Sequence, residues 1–395
     1  MGFTDKQKDN IKGLCERIVE ISQSERMKAN EKLWRVPQTK WCRDMWRAIP
    51  EKNSDGKIPF TIALDNSMNG AVTQTDLRNY YNDAYTHLET QLKYKAYYYD
   101  NFKDNTVFTR EAFIWFGVIT ELSMFGPEIV YFPNREPWIK EYIVKDEEDL
   151  NRMSLPDFKT SGLMPRAHEF YEVFSELTDG KLDIMFPRWN RGPFCIAAHL
   201  NGLENFLCNM LVEPEFAHKL MRYATDSIKH WSLERSKYLN EPIVPGNLFN
   251  DEIETPTMSP QMYEEFVLPY EIELSEFYGG IKYWHSCGNT TDVFELIAKI
   301  PNLDIFHVSP WADEGKAAKI FSKNDTALEK CLDPEADCYM ADEAKMEERI
   351  KRVVDNCEGA RFSIRADVFQ PRGDLSENLG KIKMWNQVAL KVLGN

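Results

Sequence analysis

Two side chains with metal-binding chemistry stand two residues apart in the stretch Gly280-Ile281-Lys282-Tyr283-Trp284-His285-Ser286-Cys287-Gly288-Asn289. In an extended chain, residues i and i+2 point to the same face, so His285 and Cys287 can bind one ion. Nitrogen plus sulfur suits zinc. Gly288-Asn289 then turn the chain into the helical run 293–297. A His-x-Cys pair alone is a weak motif, and the competing reading is that it holds no metal at all.

The elements that must position this pair alternate regularly from residue 180 onward. Strands are expected at 182–186, 243–249, 281–284, 305–308, 326–328 and 362–364, separated by helical runs at 203–211, 215–239, 261–278, 291–300, 343–356 and 376–393. Strands alternating with helices argue for a parallel sheet or barrel rather than an antiparallel sandwich. In a (β/α)8 barrel the loops after the strands build the site. That rule gathers Trp189-Asn190-Arg191, Asn250-Asp251-Glu252, His285-Ser286-Cys287, His307-Val308-Ser309, Cys331-Leu332-Asp333 and Arg365-Ala366-Asp367. Asp251 and Glu252 are acidic candidates for catalysis, or else solvate a loop or cap a helix. Arg191 can hold an anionic substrate or the protein's own carboxylates. His307 reads equally as a core histidine or a pocket group. Phe186, Trp189 and Trp284 are the nearest aromatics for a substrate pocket, although strand parity also allows Trp284 to face the core.

Composition limits what such a site could serve. The 395 residues suit one barrel-sized domain with an N-terminal extension. Hydrophobic residues make up 43%, with 10 Trp, 17 Tyr and 23 Phe, which excludes a disordered chain. A formal charge of −15 disfavours nucleic acid as a partner. Eight dispersed cysteines and an N-terminus without an apolar signal core lead us to expect a reduced, cytoplasmic protein, and no run approaches the roughly 18 apolar residues of a membrane span. Residues 5–50 read as helical, with Ile11, Leu14, Ile18 and Ile21 spaced for one buried face. Asn53-Ser54-Asp55-Gly56-Lys57 is turn chemistry ahead of a strand or extended segment at 58–64, and 112–118 is apolar enough to be buried.

An ordered set of short motifs then becomes specific. Phe125-Gly126, Pro137 before Ile143, Glu147-Glu148-Asp149-Leu150, Leu155-Pro156-Asp157, Gly192-Pro193-Phe194, Leu200-Asn201-Gly202, Glu213-Pro214, Asp251, Met258-Ser259-Pro260, Phe266, Pro269, His285-Ser286-Cys287-Gly288-Asn289 and Leu332-Asp333-Pro334 follow one another. Together they resemble the uroporphyrinogen decarboxylase superfamily. The resemblance implies a (β/α)8 TIM barrel over residues 106–395, with residues 1–105 as a helical extension packed on it.

Within that superfamily, the His-x-Cys element resembles the zinc-dependent, cobalamin-linked methyltransferases. The Arg-Gln-Ala-Gly-Arg segment of the decarboxylases does not occur, and Trp34-Arg35-Val36-Pro37-Gln38 is no substitute. Methyltransferases that make methyl-coenzyme M complete their zinc site with a Cys in a late Gly-Cys-Gly element; here Ala366-Asp367-Val368 stands in that place. The resemblance therefore implies zinc held by His285 and Cys287, with Asp367 and Glu252 as candidate further ligands. Exchanging a thiolate for a carboxylate leaves zinc a stronger Lewis acid, which favours an oxygen substrate. The expected reaction is O-demethylation of a methyl ether, such as a methoxylated aromatic, to the Co(I) of a corrinoid. No Asp-x-His-x-x-Gly signature is present, so the cobalamin is expected on a separate corrinoid protein, and a homodimer is the default oligomer. The alternatives are methyl transfer to a thiol of the coenzyme M type, a metal-free decarboxylase-like lyase using Arg191 and Asp251, and a non-catalytic ligand-binding barrel.

Overall fold

A computed structural model describes residues 2–35, 49–50 and 56–394. Eight strands in parallel pairings follow one another along it, apart from two short antiparallel pairs: β1 Phe60–Leu64, β2 Glu111–Phe113, β3 Asp183–Met185, β4 Gly246–Phe249, β5 Ile281–His285, β6 Leu303–Val308, β7 Ala327–Leu332 and β8 Phe362–Phe369. A six-stranded parallel sheet joins β1, β8, β7, β6, β5 and β4 in that order, while β2 and β3 form a parallel pair. A few backbone contacts connect the segments flanking the pair to its neighbours. Asn105 N–H donates to Phe60 O, and Arg191 forms a parallel bridge with Phe249. The architecture is the expected α/β barrel with N-terminal helices.

The period-2 alternation of the strands sorts side chains into two layers. Matched registers put Tyr283 beside Ile305 and Ile305 beside Ala327, and these three pack together inside the barrel with Phe249 and Ile49 against them. Two residues further along, the same face carries His285, His307 and Glu329, with Arg365 and Asp367 on β8. The opposite face packs against the helices. Trp284 stacks on Phe306 and donates from Nε1 to Glu271 of the helix Leu268–Tyr278, which also receives hydrogen bonds from Tyr263 and Asn250.

Sequence spacing and structure agree on the N-terminal helix α1 Asp5–Ser22, which starts at a Thr4/Gln7 capping box and buries Ile11, Ile18 and Ile21 as expected, with Cys15 fully buried and the expected Leu14 only half-buried. It lies against α2 Ala84–Asn101 and α3 Met164–Thr178. The expected helix over 5–50 does not run through: after a second short helix at Glu25–Glu31, Trp34–Arg35 pairs antiparallel with Ile49–Pro50. Val36, Pro37, Gln38 and Cys42, together with Asn53, Ser54 and Asp55 of the expected turn, lie outside the described residues. Phe60–Leu64, placed in the extension by the sequence reading, is a barrel strand paired with β8.

Pro269 divides the helix expected over 261–278 into Pro260–Phe266 and Leu268–Tyr278, because its ring removes a backbone donor and crowds the preceding turn. Strands β7 and β8 run four and five residues past the expected ends at 328 and 364. Among the described residues no helix is long and apolar enough to cross a membrane.

Candidate metal centre at the barrel mouth

The C-terminal end of β5 and the loop after β4 bring three donor atoms together. His285 Nε2 lies 3.0 Å from Asp251 Oδ1 and 3.3 Å from Cys287 Sγ, and Cys287 Sγ lies 3.4 Å from the same Asp251 oxygen. One nitrogen, one sulfur and one oxygen donor thus converge, the mixture zinc accepts. Close backbone approach makes this possible: a Cβ on Gly288 would sit 2.3 Å from Cβ of Glu254, and one on Gly192 would sit 2.0 Å from Asn250 Oδ1. Glycine at both places lets the β3, β4 and β5 loops meet. Asn250 N–H donating to His285 O at 2.8 Å, and Ser286 Oγ donating to Ile253 O at 2.6 Å, fix the β4 loop against β5.

Charges around the three donors are arranged in pairs. Arg191 Nη1 donates to Asp251 Oδ2 at 2.7 Å from a side chain only 6% exposed. Burial pushes the Asp251 carboxyl up, but the guanidinium and the hydrogen bond from His285 outweigh it and hold the group well below the ordinary carboxylate range. The Cys287 thiol is pushed well above its ordinary value by burial and by the charges of Asp251 and Asp367. Without a metal it keeps its proton, which a bound cation displaces. His285 Nδ1 has no hydrogen-bond partner, and its ring packs against His307 at a tilt of 47° with centroids 4.1 Å apart. Burial lowers His307 to about 4, so it stays neutral, with Nδ1 on Ser286 O at 2.8 Å.

Placement of the other sequence candidates corrects part of the expectation. Asp251, read as a catalytic acid, is the carboxylate that faces His285 and Cys287. Glu252 turns away: its Oε1 lies 3.2 Å from His199 Nε2, and Glu252, His199 and Cys195 form a separate group. Asp367 sits on the lumen face but is engaged by Arg365 Nε at 2.9 Å and His307 Nε2 at 3.9 Å, in a third group with Cys331. Burial raises its carboxyl and Arg365 more than reverses this, leaving it below the ordinary range.

Phe186, Trp189 and Trp284 do not line the large cavity at the barrel mouth. Phe186 packs among Phe158, His168 and Tyr238, Trp189 against Phe125 and Trp231, and Trp284 lies fully buried against Phe306. All three fill the layer between strands and helices.

A cavity of about 870 Å³ opens at the same end of the barrel, over the loops that follow β1, β2 and β8. Its lining includes Asp65, Val118, Glu136, Trp138 and Gln370. Glu136 accepts from Asn66 Nδ2 at 2.9 Å and from Val118 N–H at 3.2 Å. Burial and the charge of Asp65 lift its carboxyl to about 7, while Arg191 pulls it down, a coupling that ties the cavity wall to the Arg191–Asp251 pair. The sequence reading missed Glu136, Cys195 and His199, while it gathered Cys331 at a strand end without giving it a role. The Cys195-x-x-x-His199 spacing, one helical turn on an apolar run, was the legible signal for two of them.

Comparison with known proteins accords with the fold. The family model described as "Uroporphyrinogen decarboxylase (URO-D)" matches residues 106–364. Over 120 residues the chain is 28% identical to a methylated-thiol–coenzyme M methyltransferase of Methanosarcina mazei, an alignment spanning 29% of this chain and 30% of that relative. A solved methyltransferase structure from Methanosarcina mazei superposes with a TM-score of 0.62 at 13% identity, covering 84% of this chain and 94% of that one, and so shares the fold. On the strength of the family match, the chain belongs to the uroporphyrinogen decarboxylase (URO-D) family.

Proposed function

We propose that this chain is a zinc- and corrinoid-dependent methyltransferase that removes the methyl group of a methyl ether, such as a methoxylated aromatic, and passes it to the Co(I) corrinoid of a separate carrier protein. The observation that carries the reading is the convergence of Asp251 Oδ1, His285 Nε2 and Cys287 Sγ within 3.0 to 3.4 Å at the barrel mouth. These three residues would hold the zinc. A zinc ion with a single thiolate supplies Lewis acidity to an ether oxygen, whose departure as alkoxide or phenoxide is otherwise the obstacle to demethylation.

The chain's own residues do the rest. Arg191 keeps Asp251 ionised and fixed in the donor set. The lumen pairs Arg365–Glu329 at 3.1 Å and Arg365–Asp367 at 2.9 Å hold a rigid polar floor under the histidines. Glu136 carries a proton on the cavity wall near neutral pH and can donate a hydrogen bond to an oxygen-rich substrate.

A second reading, methyl transfer to a thiol, is favoured by the relative that is a methylated-thiol–coenzyme M methyltransferase. One experiment separates them. Zinc-loaded protein is supplied with a reduced corrinoid protein and a panel of methoxyaromatics, and in parallel with a methylated corrinoid and coenzyme M. Methylation of cobalt from the ethers, absent with Co(II), is expected. Activity confined to thiols would overturn the ether assignment, and demethylation without cobalamin would overturn the mechanism.

A further inference from the structure

We propose a second metal site beside the first, in which Cys195, His199 and Glu252 hold a divalent ion of the zinc class. Cys195 and His199 lie four residues apart on the helix α4 Pro193–Asn201 and so project from one face. Glu252 reaches them from the loop after β4. One donor atom from each of the three lies within 4.8 Å of the others, and His199 Nε2 stands 3.2 Å from Glu252 Oε1.

The independent sign is that the group is unsatisfied as it stands. Cys195 is fully buried, His199 is 8% exposed and the Glu252 side chain 12% exposed, yet neither His199 Nε2 nor Glu252 Oε2 has a hydrogen-bond partner. Buried polar atoms without partners are costly and uncommon. A cation between them would take a lone pair from each, with Cys195 releasing its proton to water on binding. Nitrogen, oxygen and sulfur, one of each, again select zinc, leaving a fourth position for water or a substrate oxygen. The group is not sealed off: the Trp138 ring stands edge-on to His199 with centroids 5.3 Å apart, and Trp138 is 44% exposed on the wall of the large cavity.

Arg191 links the two sites. Its Nη1 lies 2.7 Å from Asp251 Oδ2 and 3.0 Å from Cys195 Sγ, so one guanidinium touches one donor of each group. Two divalent ions and this guanidinium would bring five positive charges, matched by five anions in Cys195, Glu252, Asp251, Cys287 and the buried Glu121 that accepts from Asn190 N–H. The third donor group, His307, Cys331 and Asp367, already has Arg365 as its counter-charge. Because Glu252 adjoins Asp251, occupancy of the second site would also fix the loop that supplies the carboxylate of the first.

The test is metal content and Co(II) absorption of the whole chain, purified without chelator and titrated with Zn(II) or Co(II). Wild type should bind about two equivalents. His285→Ala/Cys287→Ala should keep about one, with a thiolate-to-cobalt charge-transfer band that disappears on adding Cys195→Ser. His199→Ala alone should halve the content of wild type. A His285→Ala/Cys287→Ala protein that is folded by circular dichroism and binds no metal would overturn the second site while leaving the first intact. If wild type binds one equivalent that survives His285→Ala/Cys287→Ala but not Cys195→Ser, the second site stands and the first falls. Should a variant fail to fold, a titration of wild type saturating at one equivalent, its band unchanged in Cys195→Ser, overturns the inference.

Discussion

Replacing Arg191 by Met tests how the candidate centre holds its charges. The arginine is 6% exposed at its side chain and donates to Asp251 Oδ2, Cys195 Sγ and Val118 O, while Met would fill the aliphatic part of its volume without a charge. Breaking a buried ion pair by removing one partner costs about 3 to 5 kcal/mol, and the lower end applies because Asp251 keeps 28% of its side chain exposed. The metal-free variant should therefore lose about 3 kcal/mol at pH 7.5, read from urea denaturation.

The sign of the pH dependence follows from Asp251. Its folded pKa is depressed, so its contribution is present above the unfolded value near 4 and is lost as pH falls through the folded one. The gap between wild type and Arg191→Met should shrink below about pH 4. With zinc bound, the ion replaces the guanidinium as counter-charge, and the cost should fall to about 1 kcal/mol or less. By the same cycle, zinc should bind the variant more tightly, and adding Asp251→Asn should recover most of the metal-free loss. A metal-free cost below about 1 kcal/mol, or the same cost with and without zinc, would refute the reasoning.

Glu136→Gln should raise the melting temperature at pH 8 and leave it unchanged at pH 4. Burial and Asp65 raise the folded pKa to about 7, so the carboxyl's contribution is whole below the unfolded value near 4 and is lost as pH rises through about 7, a cost of about 3 kcal/mol by pH 8, with Arg191 the opposing charge. An equal shift at both pH values would point to packing instead. Asp367→Asn should leave zinc affinity at the His285–Cys287 centre within about threefold of wild type, because both Asp367 oxygens face Arg365 and His307. Competition titration with a chelator measures this, and a loss of metal would return Asp367 to the ligand set.

The barrel was legible where local rules and tertiary context agree. α1 carries its own cap and its apolar stripe, and β5 ends where a His-x-Cys pair could only face one way. β7 and β8 were cut short because Glu329, Lys330, Arg365 and Asp367 look like loop residues in a sequence. They are tolerated in strands because partners meet them on both faces: in the lumen Tyr283 for Glu329 and Glu329 for Arg365, and on the helix side Ser309 O at 2.7 Å and Glu314 at 3.3 Å for Lys330. β2 is three residues long inside a run of buried apolar residues, where periodicity cannot separate strand from loop. Strand parity put His285 and Cys287 on one face but left His307 between core and pocket, and it said nothing about how a loop folds past its strand. Asp251 and Glu252 are adjacent, so a rotation of the β4 loop decides which reaches His285, and that rotation depends on Asn250, Gly192 and Arg191.

The exchange of Asp251 for Glu252 in the ligand set changes the chemistry less than it changes the control of it. A carboxylate oxygen completes the set either way, and a site with one thiolate keeps its Lewis acidity. But Asp251 is bound from behind by Arg191, whereas Glu252 has no cation within hydrogen-bonding reach among the described residues. A carboxylate shared with a guanidinium donates less charge to zinc than a free one, so in the proposed site the Arg191 contact would make the metal more acidic without altering its ligands. Under the proposed reaction, the guanidinium that holds the loop in place would also set how strongly an ether oxygen is polarised. In a thiol-methylating site, where the bound sulfur must remain nucleophilic, the same contact would work against the reaction.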